Sequence, residues 1–63
     1  MDFQFLIDAI TAEIEKAPQS NLYKERGRLR MMNGDKTGAM QDLRQAMELD
    51  PSLLNEIKGE YSI

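Results

Sequence analysis

Apolar side chains recur every three or four residues along most of the chain, which is the spacing of positions that share one face of an α-helix. A first helix is predicted over residues 3–17. Its apolar stripe consists of Phe3, Leu6, Ile7, Ile10, Ile14 and Ala17. Pro18 predicts the end of this helix, because the residue before a proline is pushed out of the helical region.

Two further helices are predicted on either side of the dipeptide Asn33-Gly34. We expect the second helix over residues 21–32, with the Ser20 side chain capping it by accepting a hydrogen bond from a first-turn amide. Gly34 supplies a left-handed residue after its last turn, and Asp35 offers a carboxylate to cap the third helix. This third helix is expected over residues 36–49. Its continuous apolar face consists of Ala39, Met40, Leu43, Ala46 and Met47.

The pair Asp50-Pro51 predicts a helix stop followed by a new cap, with Pro51 at the first helical position. A short fourth helix is expected over residues 52–58, ending at Gly59. Its inward positions are Leu53, Leu54 and Ile57. The pattern therefore predicts an all-α fold of about four helices, packed as successive antiparallel hairpins.

Two glycines fall inside the predicted helices, where glycine costs about 1 kcal/mol relative to alanine. We expect Gly27 to mark a close approach of two backbones, where Ala39 or Ala46 of the neighbouring helix crosses. Gly38 lies in the first turn after the predicted cap, where the cost is smaller, and no role is assigned to it.

The spacing of these residues resembles the tetratricopeptide repeat, a family of stacked helix pairs. In the first helix of the pair, the family frame W-x2-L-G-x2-Y is matched in spacing by Tyr23, Arg26, Gly27 and Arg30. Arginine replaces the usual leucine and the usual final aromatic. The other matching positions are Gly34 and Asp35 at the turn, Ala39, Leu43 and Ala46 in the second helix, and the closing Pro51.

The resemblance divides the chain into three parts of one helical domain. Residues 20–51 form the repeat, residues 3–17 resemble the second helix of a preceding repeat, and residues 52–63 form a capping helix and tail. Glu13 stands where the family has alanine in that preceding helix. The resemblance implies an α-solenoid fragment and a protein-binding scaffold, because such repeats present the first helix of each pair on a concave surface.

Composition narrows the classes of function. A chain of 63 residues forms one domain at most, and its own core supplies roughly 3–5 kcal/mol. Without cysteine or histidine it lacks disulfides and the usual zinc ligands, which leaves tight helix packing or self-association as sources of further stability. A net charge of −3 argues against general nucleic-acid binding. No apolar run is long enough for a membrane span and the N-terminus shows no basic leader, so a cytoplasmic location is expected.

No catalytic, cofactor-binding or metal-binding site is expected. Glu13 and Glu15 cannot act as a facing acid and base, because residues two apart on a helix point in different directions. Without histidine, cysteine or a serine beside a recognisable base, the sequence predicts a protein that is not an enzyme.

The second helix concentrates half of the basic residues of the chain. Lys24, Arg26, Arg28 and Arg30 stand against Glu25 alone, a local net charge of +3 that leaves −6 for the remainder. The resemblance implies that Lys24 and Arg28 occupy the places from which related proteins grip the C-terminal carboxylate of a partner. The alternative is a solvated helix face. Its acidic partners would be Asp42, Glu48 or Glu56.

Methionines are the second candidate binding element. Met31 and Met32, together with Met40 and Met47, could line an adaptable surface or simply fill the core. Three hypotheses follow: a module that binds an acidic peptide or a C-terminal carboxylate, a structural unit that assembles with its own copies, or the end of a larger protein in which Met1 is not the natural start.

Overall fold

The structure is a computed structural model in which residues 3–55 are described, and over this range the only regular elements are α-helices. Helix α1 spans Gln4–Lys16, α2 spans Ser20–Met32 and α3 spans Lys36–Leu49. Residues 53–55 are helical again, where the fourth helix is predicted. The predicted all-α class is confirmed, and the three helices begin and end within one residue of the expected positions. Of the positions expected to point inward, Leu53 is buried as predicted, whereas the prediction for Leu54 is wrong because this side chain is exposed. The expected inward position of Ile57 and the stop at Gly59 lie outside the described residues.

The second helix is the centre of the fold and packs against both α1 and α3, whereas α1 and α3 do not pack against each other. The side chain of Arg26 meets Asp42, Gly27 approaches Ala39, and Tyr23 packs against the cluster that contains Ala46 and Leu53. Because later positions of α3 meet earlier positions of α2, the two helices run antiparallel as predicted.

The core is small and centres on α3. Leu43 is fully buried and forms a cluster with Ala46 and Leu53, against which Tyr23 and Met47 pack. Met47 thus acts partly as core filler.

The first helix contributes a narrower buried face than its sequence pattern predicts. Ile7 and Ile14 are buried, but Leu6 and Ala17 of the predicted stripe are exposed. Among the described helices this helix packs against α2 and not against α3, so the positions that point toward α2 are the ones covered.

Gly27 lies at the closest approach of α2 and α3. A Cβ atom there would lie 3.2 Å from the carbonyl oxygen of Ala39 and 3.2 Å from Cδ2 of Leu43, tighter than ordinary van der Waals contact. The predicted close approach is confirmed, with Ala39 rather than Ala46 as the crossing residue.

The turn between α2 and α3 is built as the sequence predicts. Gly34 has a φ of 88°, in the left-handed region that glycine adopts without steric cost. The Asp35 side chain accepts a hydrogen bond of 2.9 Å from the backbone N–H of Gly38 and so caps α3. A Cβ atom at Gly38 would meet the Asp35 carboxylate alone, the movable end of a flexible side chain, so the structure adds no requirement for glycine there.

Two predictions about where helices begin are wrong. Ser20 does not cap α2: the helix begins at Ser20, and the preceding Gln19 occupies the cap position without a side-chain hydrogen bond. The Gln19 carbonyl already accepts from the Leu22 and Tyr23 amides, which moves the start of the helix one residue earlier. Pro51 lies in a turn rather than at the first helical position.

The end of α3 at Asp50 nevertheless lies where it is predicted, and the Asp50 side chain caps the turn that follows. The N–H of Asp50 closes α3 by donating to the Ala46 carbonyl. Its carboxylate then accepts from both the amide and the hydroxyl of Ser52, at 3.2 and 2.7 Å. These bonds turn the chain so that Leu53 packs on the α3 core.

Candidate functional site

The basic residues of α2 separate into two pairs with different surroundings. Arg26 and Arg30 are one helical turn apart, and both reach the carboxylate of Asp42 on α3. Nε and Nη2 of Arg26 donate to the two carboxylate oxygens at 2.9 and 2.8 Å, a bidentate pair. Nη1 of Arg30 donates to Oδ2 of the same carboxylate at 2.9 Å.

Asp42 is the interior charge around which this cluster forms. It is 3 % exposed and belongs to the buried face of α3 together with Ala39, Leu43 and Ala46. A buried carboxylate is costly unless it is paired and hydrogen-bonded, and the two guanidinium groups supply both kinds of compensation.

Arg26 also links α1 to the α2–α3 helix pair. Its Nη1 donates to the Thr11 hydroxyl of α1 at 3.2 Å, and that hydroxyl donates to the Ile7 carbonyl at 2.8 Å. Its guanidinium carbon lies 5.5 Å from the centroid of the Tyr23 ring, within cation–π distance. The hydrogen bond to Asp42 raises the pKa of Arg26, against the opposing effect of burial. One side chain therefore joins α1, α2 and α3.

This cluster changes the interpretation of the basic helix. The pairing with Asp42 anticipated in the alternative hypothesis is present, but it lies in the interior rather than on a solvated face. Arg26 and Arg30 are therefore structural ligands of one buried carboxylate.

Lys24 and Arg28 form the second pair on α2. They are also one turn apart, and Met32 follows at the next turn, so the three positions share one stripe of the helix. The Arg28 side chain is 42 % exposed, with Nε 3.8 Å from the Glu25 carboxylate, and Met32 is 57 % exposed. Lys24 and Met31 are half-buried. We call Lys24, Arg28 and Met32 the α2 stripe; the fourth candidate, Met31, lies beside it.

Sequence reasoning did not recognise the buried cluster, although a signal for it was present. Asp42 falls between Ala39 and Leu43 on the apolar stripe of α3, where an unpaired carboxylate would be unfavourable. A charged residue inside an apolar stripe, together with arginines one turn apart on the neighbouring helix, indicates a buried ion pair. The part played by Thr11 requires knowledge of how α1 docks, and no local pattern signals it.

The described residues offer no other obvious chemistry. Within residues 3–55, no three acidic, cysteine or histidine side chains come together as a set that could hold a metal ion. A shallow depression open to solvent lies on α3. It is lined by Lys36, Thr37, Met40, Gln41 and Arg44. None of the helices in this range has the length and apolar character needed to cross a membrane.

Comparison of the chain with protein-family models, with curated proteins and with solved structures found no match in any of the three. The functional argument therefore depends on the geometry of the chain itself.

Proposed function

We propose that this chain is a protein-interaction module of the tetratricopeptide type, which binds an acidic peptide or protein segment through the α2 stripe and performs no catalysis. The observation that carries the proposal is the division of the basic residues. Asp42 binds Arg26 and Arg30 inside the fold, whereas the Arg28 side chain is 42 % exposed and lies between Glu25 and the exposed Met32.

The helix packing supports a repeat of this type. The α2–α3 hairpin brings Gly27 against Ala39 and Leu43, three of the positions at which the sequence resembles the family. The left-handed turn at Gly34 falls where the family has its inter-helix turn. In such a repeat α2 is the helix on the concave surface, which is where a ligand would lie.

The chemistry of the α2 stripe suits a carboxylate-bearing ligand. The guanidinium of Arg28 can donate hydrogen bonds to a carboxylate, and the ammonium of Lys24 adds a compact positive charge one turn away. The flexible side chain of Met32 offers an adaptable apolar contact at the end of the stripe. A peptide with acidic side chains, or with a free C-terminal carboxylate, matches this arrangement better than nucleic acid, since the chain as a whole carries a charge of −3.

The proposal is tested by titrating peptides of equal length against the wild type and the Lys24→Ala/Arg28→Ala variant. The set contains an acidic and a neutral peptide, each with a free and an amidated C-terminus. We expect tighter binding of the acidic peptide, and a loss of roughly five- to thirtyfold in the variant, corresponding to about 1–2 kcal/mol for two exposed charge contacts. Binding should also weaken as added salt screens these contacts.

Lys36→Ala/Arg44→Ala is the matched control. Like the first variant it removes one lysine and one arginine, but from the exposed side of α3. This control should retain the affinity of the wild type. Equal affinity for all four peptides, or an equal loss in both double variants, would contradict a specific role of the α2 stripe. Circular dichroism should show unchanged unfolding midpoints, so that lost binding is not confused with lost structure.

A further inference from the structure

The two bases of the α2 stripe are already engaged within the chain. Lys24 and Arg28 both have interaction partners in the structure, and the Glu25 carboxylate, 3.8 Å from Nε of Arg28, is one of them. A peptide that binds the stripe must therefore compete with groups of the chain itself.

The other carboxylates that precede or follow α2 in the described part of the chain have positions of their own. Asp42 is buried between two arginines, and Asp35 and Asp50 cap the turns at the two ends of α3. Glu48 lies two residues after the buried Ala46, so it points away from the α2 contact. The third helix thus supplies no acid to the α2 stripe.

The first helix supplies none either. Its carboxylates are exposed, and within residues 3–55 none of them forms an ion pair with the α2 stripe. Because the connection between α1 and α2 is short and Thr11 meets Arg26, the start of α1 lies toward the C-terminal end of α2 and away from Lys24. Further acids for Lys24 are therefore expected from the other end of the sequence.

The last described residues lie beside the first turns of α2. Leu53 is buried in the core cluster of α3, against which Tyr23 packs, and Tyr23 is the immediate neighbour of Lys24. Glu56 follows Leu53 by three residues, which span at most about 11 Å when extended. Its carboxylate is thus within reach of the Lys24 ammonium. Glu60 follows after four more residues, the same interval that separates the two bases of the stripe.

The charges of residues 56–60 are the reverse of those around the α2 stripe. In chain order the segment carries an acid, a base and an acid, at Glu56, Lys58 and Glu60. With Arg26 bound to Asp42, residues 24–28 present a base, an acid and a base, at Lys24, Glu25 and Arg28. When every one of these charges is counted, the segment has a net charge of −1 and its counterpart on α2 has +1.

We infer that residues 56–63 fold back onto the α2 stripe of their own chain and compete there with the acidic ligand, an inference that rests on the proposed function. The carboxylates of Glu56 and Glu60 take the positions that the acids of a bound peptide would fill. A segment tethered this closely acts at an effective concentration on the order of millimolar, so two weak charge contacts are enough to hold it in place for much of the time. Binding of a partner then requires displacement of the segment.

The full chain with Glu56→Gln/Glu60→Gln tests this contact. Its matched control is Glu13→Gln/Glu15→Gln, which removes two exposed acids from α1 and changes the net charge equally, from −3 to −1. We expect the first variant to bind the acidic peptide about three- to tenfold more tightly than the wild type, as for a site that is open about 10–30 % of the time. The control should bind as the wild type does. Circular dichroism should show both variants folded.

Nuclear magnetic resonance reads the same contact without any peptide. The Nε–H resonance of Arg28 and the backbone amide of Lys24 should shift in Glu56→Gln/Glu60→Gln but not in the control, by an amount independent of protein concentration. Equal affinities in all three proteins together with unchanged resonances would overturn the inference and leave the proposed function standing. A shift that grows with protein concentration would place the segment on a neighbouring copy and would also overturn it. Shifted resonances without binding of any peptide would support the contact but refute the proposed function.

Discussion

Removal of the Asp42 carboxylate is the most direct test of how this fold is held together. In Asp42→Ala the two arginines that converge on the carboxylate lose their common partner, and a small cavity opens on the buried face of α3. The arginines would remain beside the α2–α3 contact with no acceptor of equal strength.

The size of the effect follows from the burial of the three groups. Breaking a fully buried ion pair costs about 3–5 kcal/mol. The side chains of Arg26 and Arg30 are 14 % and 26 % exposed and can partly turn toward water, so we expect a smaller loss, about 2–4 kcal/mol. For a domain of this size, each kcal/mol lowers the unfolding midpoint by about 4–8 °C, which predicts a decrease of about 10–30 °C. Since a core of this size supplies roughly 3–5 kcal/mol, the variant would be close to unfolding at room temperature.

Thermal unfolding followed by far-ultraviolet circular dichroism measures this decrease. The matched variant is the triple change Arg26→Met/Arg30→Met/Asp42→Leu, which replaces the whole charged cluster with apolar groups. Exchanging a buried ion cluster for apolar side chains is often neutral or stabilising, so the triple variant should recover most of the midpoint of the wild type. An Asp42→Ala protein as stable as the wild type would refute the claim that this cluster is energetically important, whatever its geometry.

Two further predictions concern the helix contact and the caps. Gly27→Leu should destabilise the fold by about 1–3 kcal/mol, because the added side chain has no room against Ala39 and Leu43; a higher denaturation midpoint would contradict this close approach. Asp35→Ala should cost about 0.5–2 kcal/mol through loss of the α3 cap, whereas Ser20→Ala should leave the midpoint unchanged, since Ser20 makes no cap. Equal effects of these last two changes in thermal unfolding would argue against the assigned caps.

The helices were predictable because their limits depend on local chemistry. Pro18, the Asn33-Gly34 pair and Asp50 act on the backbone within one or two residues of themselves, so their effects can be deduced from sequence alone. The contact at Gly27 was also predictable, since a glycine within a helix requires a reason and close packing is a common one.

What could not be predicted depends on how the helices dock. The apolar spacing of α1 indicates which residues share a face but not how much of that face its neighbour covers, and Leu6 is left exposed as a result. The same limitation applies to the basic residues of α2. Spacing places Arg26 and Lys24 on one helix, but only the position of α3 decides that Arg26 turns inward to Asp42.

Within residues 3–55, α1 packs against α2 and not against α3, which implies uneven cooperativity in this part of the chain. Only Ile7 and Ile14 of this helix are buried, and Thr11 is its hydrogen-bonded link to Arg26, so α1 can detach while the α2–α3 hairpin stays closed. Elements with few buried contacts open at a lower free energy than the rest of a protein. Backbone amides of α1 should therefore exchange with deuterium earlier than those around Gly27 and Leu43. The latter become accessible to exchange only when the α2–α3 hairpin itself unfolds.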